Sequence, residues 1–514
     1  MKYIKKKKAL LIVAATLSLL AGCKKDFLDI NDNPNNPTDN NITPELIFVA
    51  GAEGAGARQA SGNFRFLNSW VGYASAAGDF AIVQDETTYN IDFSFSDPIW
   101  ANHFNVLFDL HLAKQKALAK GDSVLAGASM ILSAKLWQEL VDIFGNIPYS
   151  QAFQNNATRV PDYDNAKDIY IDLQKKLDTA KTYMSATAKL NFNSYIGAIV
   201  KIGPETLGGG TVSAKQANWI KFANTLKLRL LIRQSETSGF NPAAEIAKMT
   251  IGGTLNILRE GQTVAVNPGY VNDDNKQSPF YGVYGFTPTG GDANTSTRAN
   301  KYIVDVLKAN GDVRLNRYFA PVGASVVGTV FGAATGNPGG AASSKFGPGL
   351  LGDAAEGPSQ DQWIFPSFLS LFLEAEAITR GWVTGSAQTA YENAVRESFV
   401  WLGVPNAAAA ATSYLATPVA DWANSGATPL AKAKFIAYQK YLSLVGIDPL
   451  EAWSDIRRLN MVTNMGYITV NPGRIGNVLP NRLLYPQTEY TTNATNVNAE
   501  GTVNLFTSKI FWQP

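Results

Sequence analysis

Two histidines, His103 and His111, are the whole imidazole inventory of this 514-residue chain, and Cys23 is its one thiol. Zinc clusters and disulfide frameworks draw on several such ligands, so both are excluded. Eight residues of helix separate the two histidines by roughly 12 Å of rise, too far to share a metal. They read as polar side chains beside a helical core. Glu374 and Glu376 look like paired carboxylates, yet an offset of two turns them about 200° apart on a helix, whereas glycosidase acids flank a single bond. Each reads as a partner for a base such as Arg380 or Lys440. A facing pair drawn from separate elements, among Asp109, Asp142, Glu374 and Asp455, stays open. No Gly-x-Ser-x-Gly elbow occurs for a serine nucleophile.

Binding chemistry offers more. Asp29-Ile30-Asn31-Asp32-Asn33 starts like a calcium loop, but Pro34 stands where glycine is needed and Asn40 where a bidentate glutamate belongs. Asn272-Asp273-Asp274-Asn275 is a second oxygen-rich cluster, with Asp273 and Asp274 as candidate ligands of a structural calcium; no other cofactor is indicated. Gly208-Gly209-Gly210 lacks the lysine and hydroxyl of a phosphate loop and reads as a flexible turn. Aromatic residues make up 11% of the chain, and flat apolar faces hold carbohydrate or peptide side chains without charge. Phe64, Phe66, Trp70, Tyr73, Phe80 and Tyr89 precede the Trp100 segment; Phe280, Tyr281, Tyr284 and Phe286 form a second group, and Trp363 stands apart. The candidate ligand contacts are Trp70, Tyr73, Tyr89, Tyr281, Tyr284, Phe286 and Trp363. The competing reading for each is a wedge fixing a loop to the core. Trp100, Trp137, Trp219, Trp453 and Trp512 are assigned to the core.

The elements that must position these residues follow a lysine-rich start. Met1–Lys8 carries five lysines, Ala9–Ala21 is apolar, and Leu20-Ala21-Gly22-Cys23 follows. The apolar run is shorter than the roughly 20 residues a spanning helix needs. It reads as a signal peptide over residues 1–22, and its end resembles the lipobox of bacterial lipoproteins, whose cysteine is acylated after cleavage. Cys23 is then the anchor, and the Pro/Asn-rich residues up to 42 a tether. The formal charge is +2, from 44 basic and 42 acidic side chains; removing five lysines and no acid leaves 44 − 5 = 39 against 42, or −3. Without a basic excess, nucleic acid drops out as a partner. Hydrophobic residues at 46% and charged ones at 17% indicate a globular body.

Within residues 43–514, apolar residues recur at helical spacing in pairs: Pro98–Lys120 with a helix from Val124 to Phe144, Asn165–Met184 with Ser213–Gln234, Ser367–Arg380 with Ala387–Leu402, and 429–446 with 449–460. Gly121, Gly381 and Gly446-Ile447-Asp448-Pro449 punctuate them. The expected fold is mainly α: tetratricopeptide-like helix pairs over about 43–240 and 364–460, as one domain with a loop-rich insert over about 241–362. Long loops on a helical frame are natural binding surfaces, and Val326–Phe331 is a candidate for a short hairpin.

Ordered blocks then carry a resemblance. Asp26-Phe27-Leu28-Asp29-Ile30-Asn31 is followed by Leu136-Trp137 with Asp142-Ile143-Phe144-Gly145-Asn146-Ile147-Pro148-Tyr149, and by Trp219–Arg229. Phe372-Leu373-Glu374-Ala375-Glu376-Ala377 with Arg380-Gly381-Trp382, Gln439-Lys440-Tyr441-Leu442 with Glu451-Ala452-Trp453, and Leu479–Pro486 complete the series. Together they resemble the SusD/RagB family of outer-membrane nutrient-binding lipoproteins. The resemblance implies a right-handed α-superhelical scaffold of four helix pairs with a loop-rich ligand-binding part. It also implies a non-enzymatic role: capturing oligosaccharide, or peptide, at the cell exterior and delivering it to a SusC-like TonB-dependent β-barrel transporter. A lipid-anchored α-helical glycan-degrading enzyme is the alternative from another class.

Overall fold

A computed structural model of the chain describes residues 42–60, 64–154, 158–189, 192–203, 211–353, 355–461 and 468–514. The chain divides into Met1–Thr43 and a body, Pro44–Pro514, to which every element below belongs. The signal segment, Cys23, the tether and the Gly208–Gly210 turn lie outside the described residues.

The principal helices are α1 (Pro44–Ala60), α2 (Arg65–Trp70), α3 (Asp97–Ala119), α4 (Ser123–Phe144), α5 (Ala166–Met184), α6 (Val212–Arg233), α7 (Ser367–Thr379), α8 (Ala387–Trp401), α9 (Pro429–Ser443) and α10 (Pro449–Arg458). Strands are short: β1 (Ala74–Ala76), β2 (Val200–Ile202), β3 (Val264–Val266), β4 (Thr297–Ala299) and β5 (Gln362–Phe365). Consecutive helices pack as α3 on α4, α5 on α6, α7 on α8 and α9 on α10, and α4 also packs on α5.

Local chemistry sets the ends. Gly121 takes φ +70° after α3, a left-handed turn that costs glycine little, and the Asp122 carboxylate then accepts from Leu125 N at 3.0 Å to cap α4. Thr428 and Asp448 cap α9 and α10 in the same way. Helix α4 is long and apolar enough to cross a membrane, but 89% of its most apolar window is buried in the body. Buried on nearly every side, it is the central core helix.

Charged residues fill part of that core. On α4, Lys135, Gln138, Glu139 and Asp142 are all buried. Arg233 of α6 reaches Asp142 at 3.1 Å and Glu451 of α10 at 2.6 Å. Lys440 of α9 reaches Glu451 at 2.9 Å and Asp455 at 2.6 Å. Arg458 joins Asp455 at 2.9 Å to Glu376 of α7 at 2.7 Å. One chain of ion pairs therefore runs from α4 through α6, α10 and α9 to α7. Such a chain specifies helix register, because each slip would leave a buried charge unpaired.

The insert carries β3, β4 and β5, with β3 central between β2 and β5 in an antiparallel sheet. β1 and β4 pair separately, Ala74 opposite Ala299. Val326–Phe331 does not form the expected hairpin. Thr329 instead bridges Asn300, its carbonyl accepts from the Ser75 hydroxyl at 2.9 Å and its own hydroxyl lies 2.6 Å from the same oxygen, so the run is held against the end of the β1–β4 ribbon.

Candidate functional site

Six of the seven aromatic residues expected at a ligand surface are buried. Trp70 donates to Glu86 O at 3.0 Å and meets Trp453 and Tyr89 edge to face. Tyr73 donates to Tyr441 O, and Trp363 to Ile447 O. Tyr281 lies against Gly357, where an added Cβ would come within 2.5 Å of its ring. Tyr284 packs on Phe280 and Phe346. Tyr89 sits at φ +59°, and burial pushes its phenol up to about 12. Trp70, Tyr73, Tyr89, Tyr281, Tyr284 and Trp363 are therefore wedges, not ligand faces. Loops this long must cover their own backbone polar groups, and large flat side chains with one polar tip do so efficiently. Phe286 is half-exposed, with Lys345 Nζ 4.0 Å over its ring.

The wedges hold in place a cleft that the sequence did not single out. Segment 77–86 leaves the β1–β4 ribbon and turns back through a short helix at Gln84–Thr88. Gly78 allows the turn, since an added Cβ would lie 2.0 Å from Asn337 O. Asp79 clamps the opposite segment by accepting from Gly340 N at 2.9 Å. Between these walls is a cleft of about 150 Å³ lined by Arg65, Ser69, Ser75, Phe80, Glu86 and Thr297, among others. A smaller hollow of about 20 Å³, which Asn337 helps to line, shares Ser69 and Glu86 with it.

The chemistry of this cleft is polar but balanced. Arg65 Nη2 donates to Glu86 Oε1 at 2.7 Å, which cancels both charges. The guanidinium and carboxylate still offer donors and acceptors beside the hydroxyls of Ser69 and Ser296. Phe80, 41% exposed, gives the rim an aromatic face. Glu86 is the one carboxylate among the described lining residues, so the two flanking acids of glycoside hydrolysis are not assembled there. At about 150 Å³ the cleft is smaller than the roughly 300 Å³ of a pocket that encloses a whole ligand. It suits one unit of a chain running across the surface.

The other residues picked for chemistry serve structure. His103 is buried, bonded to Ile99 O at 2.7 Å and Glu139 at 3.3 Å. Burial and Arg58 lower its pKa to about 4 against the opposing pull of Glu139. Glu374 pairs with Arg259 at 2.6 Å, and Asp142 and Asp455 belong to the buried ion chain. Glu376 pairs with Arg380 and Arg458; burial pushes its carboxyl up, but the two guanidiniums outweigh it and bring it to about 2. Asp273 accepts from Asp274 N at 2.9 Å and pairs with Lys276 at 2.7 Å. Among the described residues no three His, Cys, Asp or Glu side chains converge to hold a metal ion.

A family model described as SusD-like, "Starch-binding associating with outer membrane", matches residues 47–486. The chain belongs to the SusD-like family. Members of this SusD-like group are outer-membrane-associated nutrient-binding proteins. Among solved structures, a chitin-binding SusD homolog from Flavobacterium johnsoniae superposes with a TM-score of 0.70 at 21% identity, covering 90% of this chain and 98% of that one. A SusD homolog from Bacteroides fragilis gives 0.68 at 17%, with 92% and 99% covered. A SusD/RagB family protein from Bacteroides thetaiotaomicron gives 0.69 at 18%, again with 92% and 99% covered. At these identities the likeness shows a shared SusD-like helical fold. No curated protein matches the chain.

Proposed function

We propose that this SusD-like protein is a non-catalytic, cell-surface capture protein for oligosaccharide. It is tethered through a lipidated Cys23 on the outer face of the outer membrane, and it passes its ligand to a SusC-like TonB-dependent β-barrel. The observation that carries this reading is the charge-balanced cleft, where an Arg65–Glu86 pair and the hydroxyls of Ser69 and Ser296 sit beside the exposed ring of Phe80. Sugar hydroxyls both donate and accept, so they match paired charges and hydroxyls better than a site of one sign. A pyranose presents C–H groups to an aromatic face.

The chitin-binding relative from Flavobacterium johnsoniae makes chito-oligosaccharides the first ligands to try, with malto-oligosaccharides and peptides as comparison. Protein beginning after Cys23 is titrated by calorimetry, and each mixture is assayed for new reducing ends and new amines. Binding of a glycan without product, weakened by Phe80→Ala, is the expected result. Product formation would replace capture with catalysis, and binding of peptides alone would move the ligand class. Protease shaving of intact cells tests the outward display.

A further inference from the structure

A second cavity lies in the helical part, among α3, α4, α5 and the segment 149–154. Its volume is about 380 Å³, within the range of small-molecule sites. Its walls are polar and apolar in equal measure, the apolar part coming from Leu107, Met130, Ala134 and Leu173 with an aromatic corner of Trp137, Tyr149 and Phe153. Trp137 and Tyr149 meet at 83° with centroids 4.9 Å apart, and Phe153 lies 6.0 Å from Trp137. Phe153 takes φ +64°, a costly conformation for a bulky side chain, and by doing so its ring closes the corner against His111 at 5.3 Å.

Three basic side chains, His111, Lys114 and Lys176, line the same space, and they are not balanced as the cleft is. Lys176 is engaged, with Asp172 at 3.0 Å and the Tyr149 hydroxyl at 2.8 Å. Lys114 has no hydrogen bond or ion pair among the described residues, and burial together with Lys176 lowers its pKa. His111 Nε2 is buried without a partner. Burial, Lys114 and Lys176 bring that imidazole down to about 4, so it is neutral near pH 7 and in its Nε2–H tautomer donates. Asp172 answers one of the two lysines, which leaves one positive charge and one orphaned ring nitrogen beside an aromatic box.

We propose that this cavity is a second binding site, for a small monocarboxylate with a flat apolar body. The ring lies in the corner of Trp137, Tyr149 and Phe153, and the carboxylate takes the donors of Lys114 and His111. A single negative charge completes the local balance, while a neutral sugar would leave Lys114 partly desolvated and unanswered. A compact dianion such as phosphate would bring a second charge that the single unanswered lysine does not match and would leave the aromatic corner unfilled.

The test uses the chain from residue 24 onward and two probes of one shape, 3-phenylpropionate and its amide, 3-phenylpropanamide. Calorimetry should show the acid binding at least about tenfold more tightly than the amide, the worth of one charge-assisted hydrogen bond. Lys114→Met should bring the acid down to the amide's affinity, Lys114→Arg should restore most of the difference, and Phe80→Ala in the cleft should leave it unchanged. Equal binding of acid and amide overturns the proposal, as does an unaltered Lys114→Met or no heat with either probe. The acid and amide comparison is made on the unaltered chain, so it stands whether or not a variant folds. Failure here leaves the glycan reading of the cleft untouched, because the two sites share no residue.

Discussion

Two regions of the helical frame take lysine and arginine out of water, and they treat the charge in opposite ways. In the chain from α4 to α7, Arg233, Lys440 and Arg458 each face at least two carboxylates within 4 Å. In the cavity among α3, α4 and α5, Lys114 faces another cation instead. Matched charges cost their desolvation once and then hold helices in register. An unmatched one is tolerated only where water or a ligand can reach it. The difference separates charges that build this fold from charges that wait for something, and the loop-borne cleft, with its Arg65–Glu86 pair, lies between the two.

The largest effect should come from breaking the matched side. Glu451 is shared by Arg229, Arg233 and Lys440, so Glu451→Gln takes the carboxylate from Arg229 and leaves Arg233 and Lys440 each one acid short. Urea unfolding should show a loss of about 3–5 kcal/mol. A loss below about 1 kcal/mol would mean that the ion chain does not hold the helices together.

Acid attacks the same side more gently. The imidazole of His103 is lowered from 6.5 to about 4 in the folded protein, so as pH falls the unfolded chain takes up the proton first. Stability is therefore full above about 6.5, declines between 6.5 and 4, and levels off for this group below 4. The whole decline is worth roughly 3 kcal/mol. Glu376, lowered from 4.5 to about 2, continues the loss as pH falls through that lower window. Denaturation midpoints across this range should fall smoothly, and His103→Gln should flatten the upper part. An unchanged slope in that variant would place the titration elsewhere.

Much of the frame was legible in the sequence because periodicity and caps act locally. Gly121 and Asp122 mark the α3–α4 turn by their chemistry alone, and the eight paired helices fall within a few residues of their expected bounds. The ion chain was not legible in the same way. A helical face carrying Lys135, Gln138, Glu139 and Asp142 reads as solvated until its partners arrive from elsewhere in the chain, Arg58 and His103 to Glu139 and Arg233 to Asp142. The cleft failed for the converse reason. Aromatic residues in loops looked like ligand faces, yet Trp70, Tyr73 and Tyr284 are anchors, and the exposed ring is Phe80, whose Gly-Asp-Phe setting carries no periodic signal. What could have pointed there is Gly78 followed by Asp79, a tight turn with its own acceptor.

Phe80→Ala sharpens the comparison on the cleft side. Removing one exposed ring from a charge-balanced site should weaken glycan binding by about tenfold with no change in melting temperature. A fall in stability with intact affinity would make Phe80 one more wedge.

The smallest effect tests the unmatched side directly. Lys114→Met keeps the length of the side chain and removes a half-buried cation that no acid answers, so stability should stay within about 0.5 kcal/mol of the parent, on the stabilising side. The control is Lys227→Met. That ammonium is buried, pairs with Asp178 at 2.7 Å and also meets Glu245, so its loss removes the buried cation the two acids share, leaves them only the more exposed Lys181 and Lys248, and should cost about 1–3 kcal/mol. Urea unfolding of both variants in one buffer decides the matter. If the two lose stability equally, Lys114 has a structural partner and the contrast between matched and unmatched charge fails. If Lys114→Met alone is neutral or better, the chain keeps that ammonium for a reason other than folding, which is what an anion-binding cavity requires.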